Sequence, residues 1–399
     1  MPATLSPTRQ RNVAVLTGAQ ALGAASPAII ISLGGLVGQN LSANPALATL
    51  PVSTFQAGLA LGTLPAAYLM HRLGRRNAYL IGACMGIISG LVAAYAILSG
   101  WFALFCLGTI IAGLYSAYVQ SYRFAATDGL DAIQRPRAIS WIMVGGLAAA
   151  IIGPQIVILT RDIWPDTPFA ASFIGQSVLA LLALPLLAIL RAPEKNKIHP
   201  TEDAPAARPL REIASSLPFI TAIATGVASY GLMSFLMTAA PMAMVGHDHS
   251  LKDASLGIQW HILAMFGPSF FTGKLIQRFG SVSIAALGLI LIAASAATAL
   301  NGMSVSHFWL ALVLLGVGWN FSFIGATDMI TATHTHAERA KVQAANDFIM
   351  FGVVAIASFS SGQLLSTSGW DSLNLLVFPL VGGVLLLMLA NHYRARRWH

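Results

Sequence analysis

The chain has 399 residues, of which 56% are hydrophobic and only 9% charged, against roughly 25% charged in an ordinary soluble domain. A soluble globule of this size needs a charged shell that the chain cannot supply, so a bilayer is the solvent that suits it. The net charge of +8 would fit a nucleic-acid partner only if the basic residues shared one face, and they are arranged differently.

A membrane-spanning helix needs about 20 mostly apolar residues, and twelve such runs follow one another along the chain. They lie near 12–38, 46–70, 78–98, 101–122, 137–160 and 168–191, then 214–243, 252–272, 281–300, 305–330, 341–365 and 372–392. Barrel strands are excluded by run length, since they read as alternating segments of about 10 residues. Lys and Arg gather in alternate loops. Arg9, Arg11, Arg72, Arg75, Arg76, Arg123, Arg135 and Arg137 share one side with the basic residues of 191–211, 274–278, 339–341 and 394–397, leaving Arg161 and Lys252 on the other. This positive-inside bias places both termini in the cytoplasm. The basic charge is therefore topology, and no nucleic-acid partner is expected. Cys84 and Cys106 both fall inside spans, where they read as small buried apolar residues with no structural disulfide.

Residues 192–213, "APEKNKIHPTEDAPAARPLREI", are the longest polar stretch. They read as a cytoplasmic linker between an N-terminal six-helix bundle (1–191) and a C-terminal one (214–399). The halves look duplicated. "LMHRLGRRN" (69–77) after span two is matched by "LIQRFGSVS" (275–283) after span eight, and "YRFAATDGL" (122–130) by "SFIGATDMI" (322–330). Two pairs in equivalent places are the pattern of transporters built from repeated bundles. The loop "YLMHRLGRR", with Arg72, Gly74, Arg75 and Arg76, resembles the signature loop of the major facilitator superfamily. It departs from it in His71, Ala67 and, in the second half, Gln277. The resemblance implies an all-α membrane fold of twelve transmembrane helices in two six-helix bundles, working by alternating access.

No enzyme motif accompanies this pattern. "GPSFFTGKL" (267–275) has five residues between its glycines where a phosphate-binding loop has four, and Leu275 stands where Ser or Thr would hold magnesium. The chain reads as a transporter, not an enzyme.

The stretch "GLMSFLMTAAPMAMVGHDHS" (231–250) concentrates methionine and histidine. Met233 and Met237 are four apart, and so share a helix face. "HILAM" on the next span repeats the spacing with His261 and Met265. Neutral thioethers are poor partners for sodium, magnesium or calcium and suit Cu(I), which imidazole can join. Methionine is also a common gap filler in apolar cores, whereas a histidine inside a membrane is a functional candidate by default. Met242, Met244 and His247 approach the far surface and read as a capture site at the mouth. His334 and His336 read as polar surface or as an exit relay.

The paired MxxxM and HxxxM motifs are similar to those of the CcoA-like copper importers within the superfamily. That resemblance implies import of copper, as Cu(I), across the inner membrane of a bacterium for assembly of cbb3-type cytochrome oxidase. Met233, Met237, His261 and Met265 would be the ligands, and Met242, Met244 and His247 weaker ones. Copper is then the transported substrate with no permanently bound cofactor, and membrane lipid and a cytoplasmic or periplasmic copper chaperone are the partners. The alternative is a carrier or exporter of a small amphipathic organic molecule, with the methionines as a pliable pocket. A third reading is an assembly partner that binds copper without moving it. Of the acidic residues, Asp347 falls well inside span eleven, where it either carries a proton or pairs with Lys341 or Arg339. Asp328 and Asp128 hold equivalent places in the two halves.

Overall fold

The computed structural model describes residues 7–127, 135–191, 208–335 and 338–396. Hydrocarbon offers no partner to a bare N–H or C=O, so a chain of this composition satisfies its backbone inside helices. Its elements are α1 (Pro7–Gly23), α2 (Ala25–Leu41), α3 (Leu50–Leu98), α4 (Phe102–Ala125), α5 (Arg135–Thr160), α6 (Ala170–Ala188) and the short α7 (Leu210–Ala214). They continue with α8 (Leu217–Gly246), α9 (Leu251–Phe266), α10 (Ser269–Phe279), α11 (Ser281–Leu300), α12 (Val305–Thr331), α13 (Arg339–Leu375) and α14 (Val377–Arg396).

Among the described residues, twelve crossings result. α1 and α2 form the first, and α3 turns back on itself at Gly74 to form the second and third. α9 and α10 make the eighth, broken at Gly267–Pro268. α13 turns at Gly369, so that its last residues open the twelfth crossing and α14 completes it. The stretches 45–98 and 341–391 are 54 and 51 residues long. At 1.5 Å per residue each is more than twice the roughly 30 Å thickness of the hydrocarbon core. Proline sits inside α3, α5, α6 and α8 without ending them, as packed membrane helices allow.

The duplication is visible in the backbone. Gly74 has φ 78° and ψ 157°, and Gly280, at the equivalent turn of the second half, has φ 82° and ψ 151°. Side chains other than glycine rarely adopt that φ, and a Cβ at either position would meet open space. The glycine is therefore there for its backbone. Close helix contact uses glycine differently: a Cβ on Gly58 would collide with the carbonyl of Ile110, and one on Gly113 with that of Phe55. This backbone approach between α3 and α4 is the small-residue packing that membrane helices rely on.

α1 to α6 pack together in one bundle and α8 to α14 in the other. α3 crosses to α13, α5 to α9, and α2 to α8. Three contacts fix this joint. Met242 occupies the space beside Gly35, Thr49 Oγ1 donates to the Phe359 carbonyl at 3.2 Å, and Gln155 Nε2 donates to Gln259 Oε1 at 3.0 Å. All three lie toward the membrane face opposite the chain termini, where they hold the bundles together.

Most of the expected linker, and with it His336 and Asp128, lies outside the described residues. Arg208, at its described end, is clamped to the segment before α13. Its backbone N and its Nε each donate to Glu338 Oε1 at 2.8 Å, and its Nη2 donates to Oε2 at 2.9 Å. Thr335 N adds a further bond to Oε2 at 2.9 Å, and Lys341 Nζ reaches the Arg208 carbonyl. Lys341 is thus engaged away from Asp347. The Glu338 side chain is 1% exposed, and the Arg208 guanidinium, first among its donors, holds the carboxyl well below the usual range. A depressed carboxylate stabilises the fold above its unfolded pKa and loses that contribution as pH falls through the folded value. Glu338→Gln should therefore lower the thermal unfolding midpoint by a constant amount at and above about pH 5, with the difference from the parent shrinking below about pH 4.3. Melting curves at a series of pH values check this.

Candidate functional site

Five rings converge from four helices of the C-terminal bundle. Tyr230 comes from α8, Phe266 from the end of α9, Trp319 and Phe323 from α12, and Phe351 from α13. Each lies near the middle of its crossing, and so near the bilayer midplane. Trp319 and Phe323, four apart on α12, stack with centroids 4.9 Å apart and planes within 10°. Tyr230 meets Trp319, Phe323 and Phe351 edge-on at 5.4, 5.5 and 6.1 Å, and Phe266 meets Trp319 at 6.4 Å. These separations and tilts match the favourable geometry of ring pairs. Apart from Trp319, the rings are half-buried rather than sealed.

The cluster faces the other bundle. Phe351 packs against the N-terminal core that holds Tyr79, Tyr118 and Tyr122. Arg123, at the end of α4, lies within electrostatic range of both Tyr230 and Asp347. Arg123 of the opposite bundle is thus a basic group within reach of Asp347, whose Oδ1 accepts from Asn346 Nδ2 at 3.0 Å.

The break in the eighth crossing is held beside this cluster. Asn320, next to Trp319, donates through Nδ2 to the Met265 carbonyl at 2.6 Å and to Ser269 Oγ at 2.7 Å, and its Oδ1 accepts from Thr272 at 2.6 Å. The amide takes up one backbone group beside the break, the Met265 carbonyl, which in hydrocarbon would otherwise lack a partner, and it lies one residue from Phe266. Trp319 Nε1 is buried with no hydrogen-bond partner among the described residues. The arrangement offers flat apolar walls, one unused N–H donor, and a basic and an acidic side chain at the edge. That chemistry suits a planar conjugated organic molecule.

The methionine and histidine positions fall elsewhere. Met233, Met237, Met244 and Met265 belong to one continuous core of the C-terminal bundle, with Ile258, Leu312 and Leu315. His261 is fully buried, and its Nδ1 lies 2.7 Å from the Leu312 carbonyl. A carbonyl only accepts, so Nδ1 carries the proton and Nε2 is an acceptor, here without a partner. Met242 and His247 lie apart from that core, at the outer joint, where His247 Nδ1 contacts the Ala243 carbonyl at 2.7 Å. Cys106 is buried as expected, whereas Cys84 is exposed on its helix and faces the surroundings.

The fold and the midplane cluster define a two-bundle membrane carrier. The profile of the Major Facilitator Superfamily matches residues 13–358, and the chain belongs to that family; it is a transporter and not an enzyme. It is 62% identical over 381 residues, 94% of each chain, to the riboflavin transporter RfnT of Brucella anthropi. It is 30% identical over 394 residues to the uncharacterized MFS-type transporter YdeG of Bacillus subtilis, covering 95% of this chain and 90% of that one. Among solved structures, the D-xylose-proton symporter superposes with a TM-score of 0.72 at 18% identity, over 95% of this chain and 96% of that one. A bacterial homologue of the human lysosomal transporter Spinster does so with 0.70 at 16%, over 98% of each. At such identities these two bear on the fold alone.

The relative in Brucella anthropi overturns copper import, copper as the transported substrate, and a copper chaperone as partner. Thioether spacing identified residues that share a helix face, but it carried no information on whether that face meets a permeation path or a packed core. Met→Leu is close to volume-conserving and costs less than about 1.5 kcal/mol in a core. The Met233→Leu and Met237→Leu variants should therefore keep membrane abundance and transport near the parent level, as uptake normalised to protein would record.

Proposed function

We propose that this protein carries riboflavin across the inner membrane of a bacterium by alternating access, with both termini in the cytoplasm. The observation that carries this reading is the 62% identity to RfnT over 94% of both chains. The midplane cluster supports it chemically. The isoalloxazine ring is a flat conjugated slab with polar edges, and the Trp319–Phe323 stack with Tyr230, Phe266 and Phe351 provides walls of matching shape and polarity. The unused Trp319 N–H and the nearby Arg123 and Asp347 are polar groups suited to carbonyl and hydroxyl partners. The one-sided Lys and Arg distribution supports the orientation.

Stacking of a heteroaromatic on an aromatic side chain is worth about 1–3 kcal/mol by alanine substitution. Trp319→Ala should thus weaken riboflavin binding by about tenfold or more, measured as quenching of flavin fluorescence by the detergent-purified protein. Unchanged affinity would remove the cluster from the site, and a parent protein that binds no flavin would remove the function.

A further inference from the structure

A cavity of about 260 Å³ lies at the outer joint, and both bundles line it. Gln39, Pro45 and Ala48 come from the N-terminal bundle, Met242 and His247 from the end of α8, and Trp370 from the start of the twelfth crossing. Its construction is specific. Gly369, with φ 75°, turns the chain so that Trp370 enters the wall. Trp370 packs on Phe308 at 5.4 Å and 35°, and Phe308 lies 6.1 Å from His247. Trp370 is 5% exposed, and its Nε1 is buried with no hydrogen-bond partner among the described residues. A buried N–H left unsatisfied is costly, and an accepting ligand would recover that cost.

The lining chemistry narrows the occupant. Trp370 and His247 are aromatic, Gln39 and Ser366 are neutral and polar, and no carboxylate is among the described residues that line the wall, so these residues offer a cation no counter-charge. The volume falls just below the roughly 300–1,000 Å³ of pockets that enclose a whole drug-sized ligand. A flat ring system fits with any flexible polar tail left in solvent.

We propose that this outer cavity is a second, weaker flavin site, which captures the ring of the substrate at the face opposite the termini before the joint opens. The proposal rests on the riboflavin reading. In this proposal Met242 and His247 serve an organic ring at the mouth, where the sequence led us to expect capture of a metal.

The test uses the full-length purified protein, riboflavin, ribitol, and lumiflavin, which keeps the ring and lacks the ribityl chain. Fluorescence-quenching titrations of the parent should show a tight and a weak component. Trp319→Ala should abolish or weaken the tight one and leave the weak one. Adding Trp370→Ala should remove the weak one, and lumiflavin, but not ribitol, should compete for it. Trp370→Phe keeps the ring but loses the N–H, and it should weaken that component about fivefold, the equivalent of one ordinary hydrogen bond. If Trp370→Ala does not fold, Trp370→Phe and His247→Ala in the Trp319→Ala background decide the matter in the same way. The proposal is overturned if only one component exists and Trp319→Ala removes it, an outcome that leaves the riboflavin reading intact. It is equally overturned if the weak component is unchanged by every substitution at Trp370 and His247. A parent that binds no flavin overturns both.

Discussion

The absence of a hydrogen-bonding solvent in the hydrocarbon core governs this structure. It forces the backbone into helices, and it makes every irregularity within the membrane need a local partner. Asn320 shows the rule at work. One buried amide bonds to the carbonyl of Met265 and to the hydroxyls of Ser269 and Thr272, and so makes the break at Gly267–Pro268 tolerable at midplane depth. That break positions Phe266 against Trp319. The aromatic cluster is thus built around a satisfied defect, in the way that broken helices mark binding regions in transporters.

The same constraint shapes the joint between the bundles. With no hydrophobic gain from moving side chains out of lipid, helices associate through close packing and a few polar bonds. The joint has both kinds: Met242 beside Gly35, and the Gln155–Gln259 and Thr49–Phe359 bonds. Neutral amides and hydroxyls of this kind carry no buried charge, so separating them leaves only groups that water or a polar ligand can satisfy. A joint meant to open during alternating access is well served by such contacts. On the termini side the Arg208–Glu338 clamp is charged and multidentate, and it ties the described end of the linker to the C-terminal bundle.

Much of this was legible in the sequence, and the reason is physical. Span length and loop charge are one-dimensional consequences of a slab-shaped solvent, so twelve crossings and the duplicated turn at Gly74 and Gly280 could be read directly. The substrate could not. Met233, Met237, His261 and Met265 have the spacing of a ligand set, yet spacing fixes which residues share a face and not what that face meets. The aromatic cluster left little local trace because Tyr230, Phe266, Trp319, Phe323 and Phe351 come from four helices. Only Trp319 and Phe323, four apart on α12, form a visible pair, and such a pair also reads as ordinary packing.

Transport by the purified protein in liposomes tests the central claim most directly, since it needs no assumption about direction in the cell. Liposomes preloaded with riboflavin should accumulate external labelled riboflavin by exchange, strongly in the parent and weakly in Trp319→Ala, while labelled Cu(I) should enter no faster than in empty liposomes. Absence of riboflavin exchange in a folded, correctly inserted parent would contradict the account.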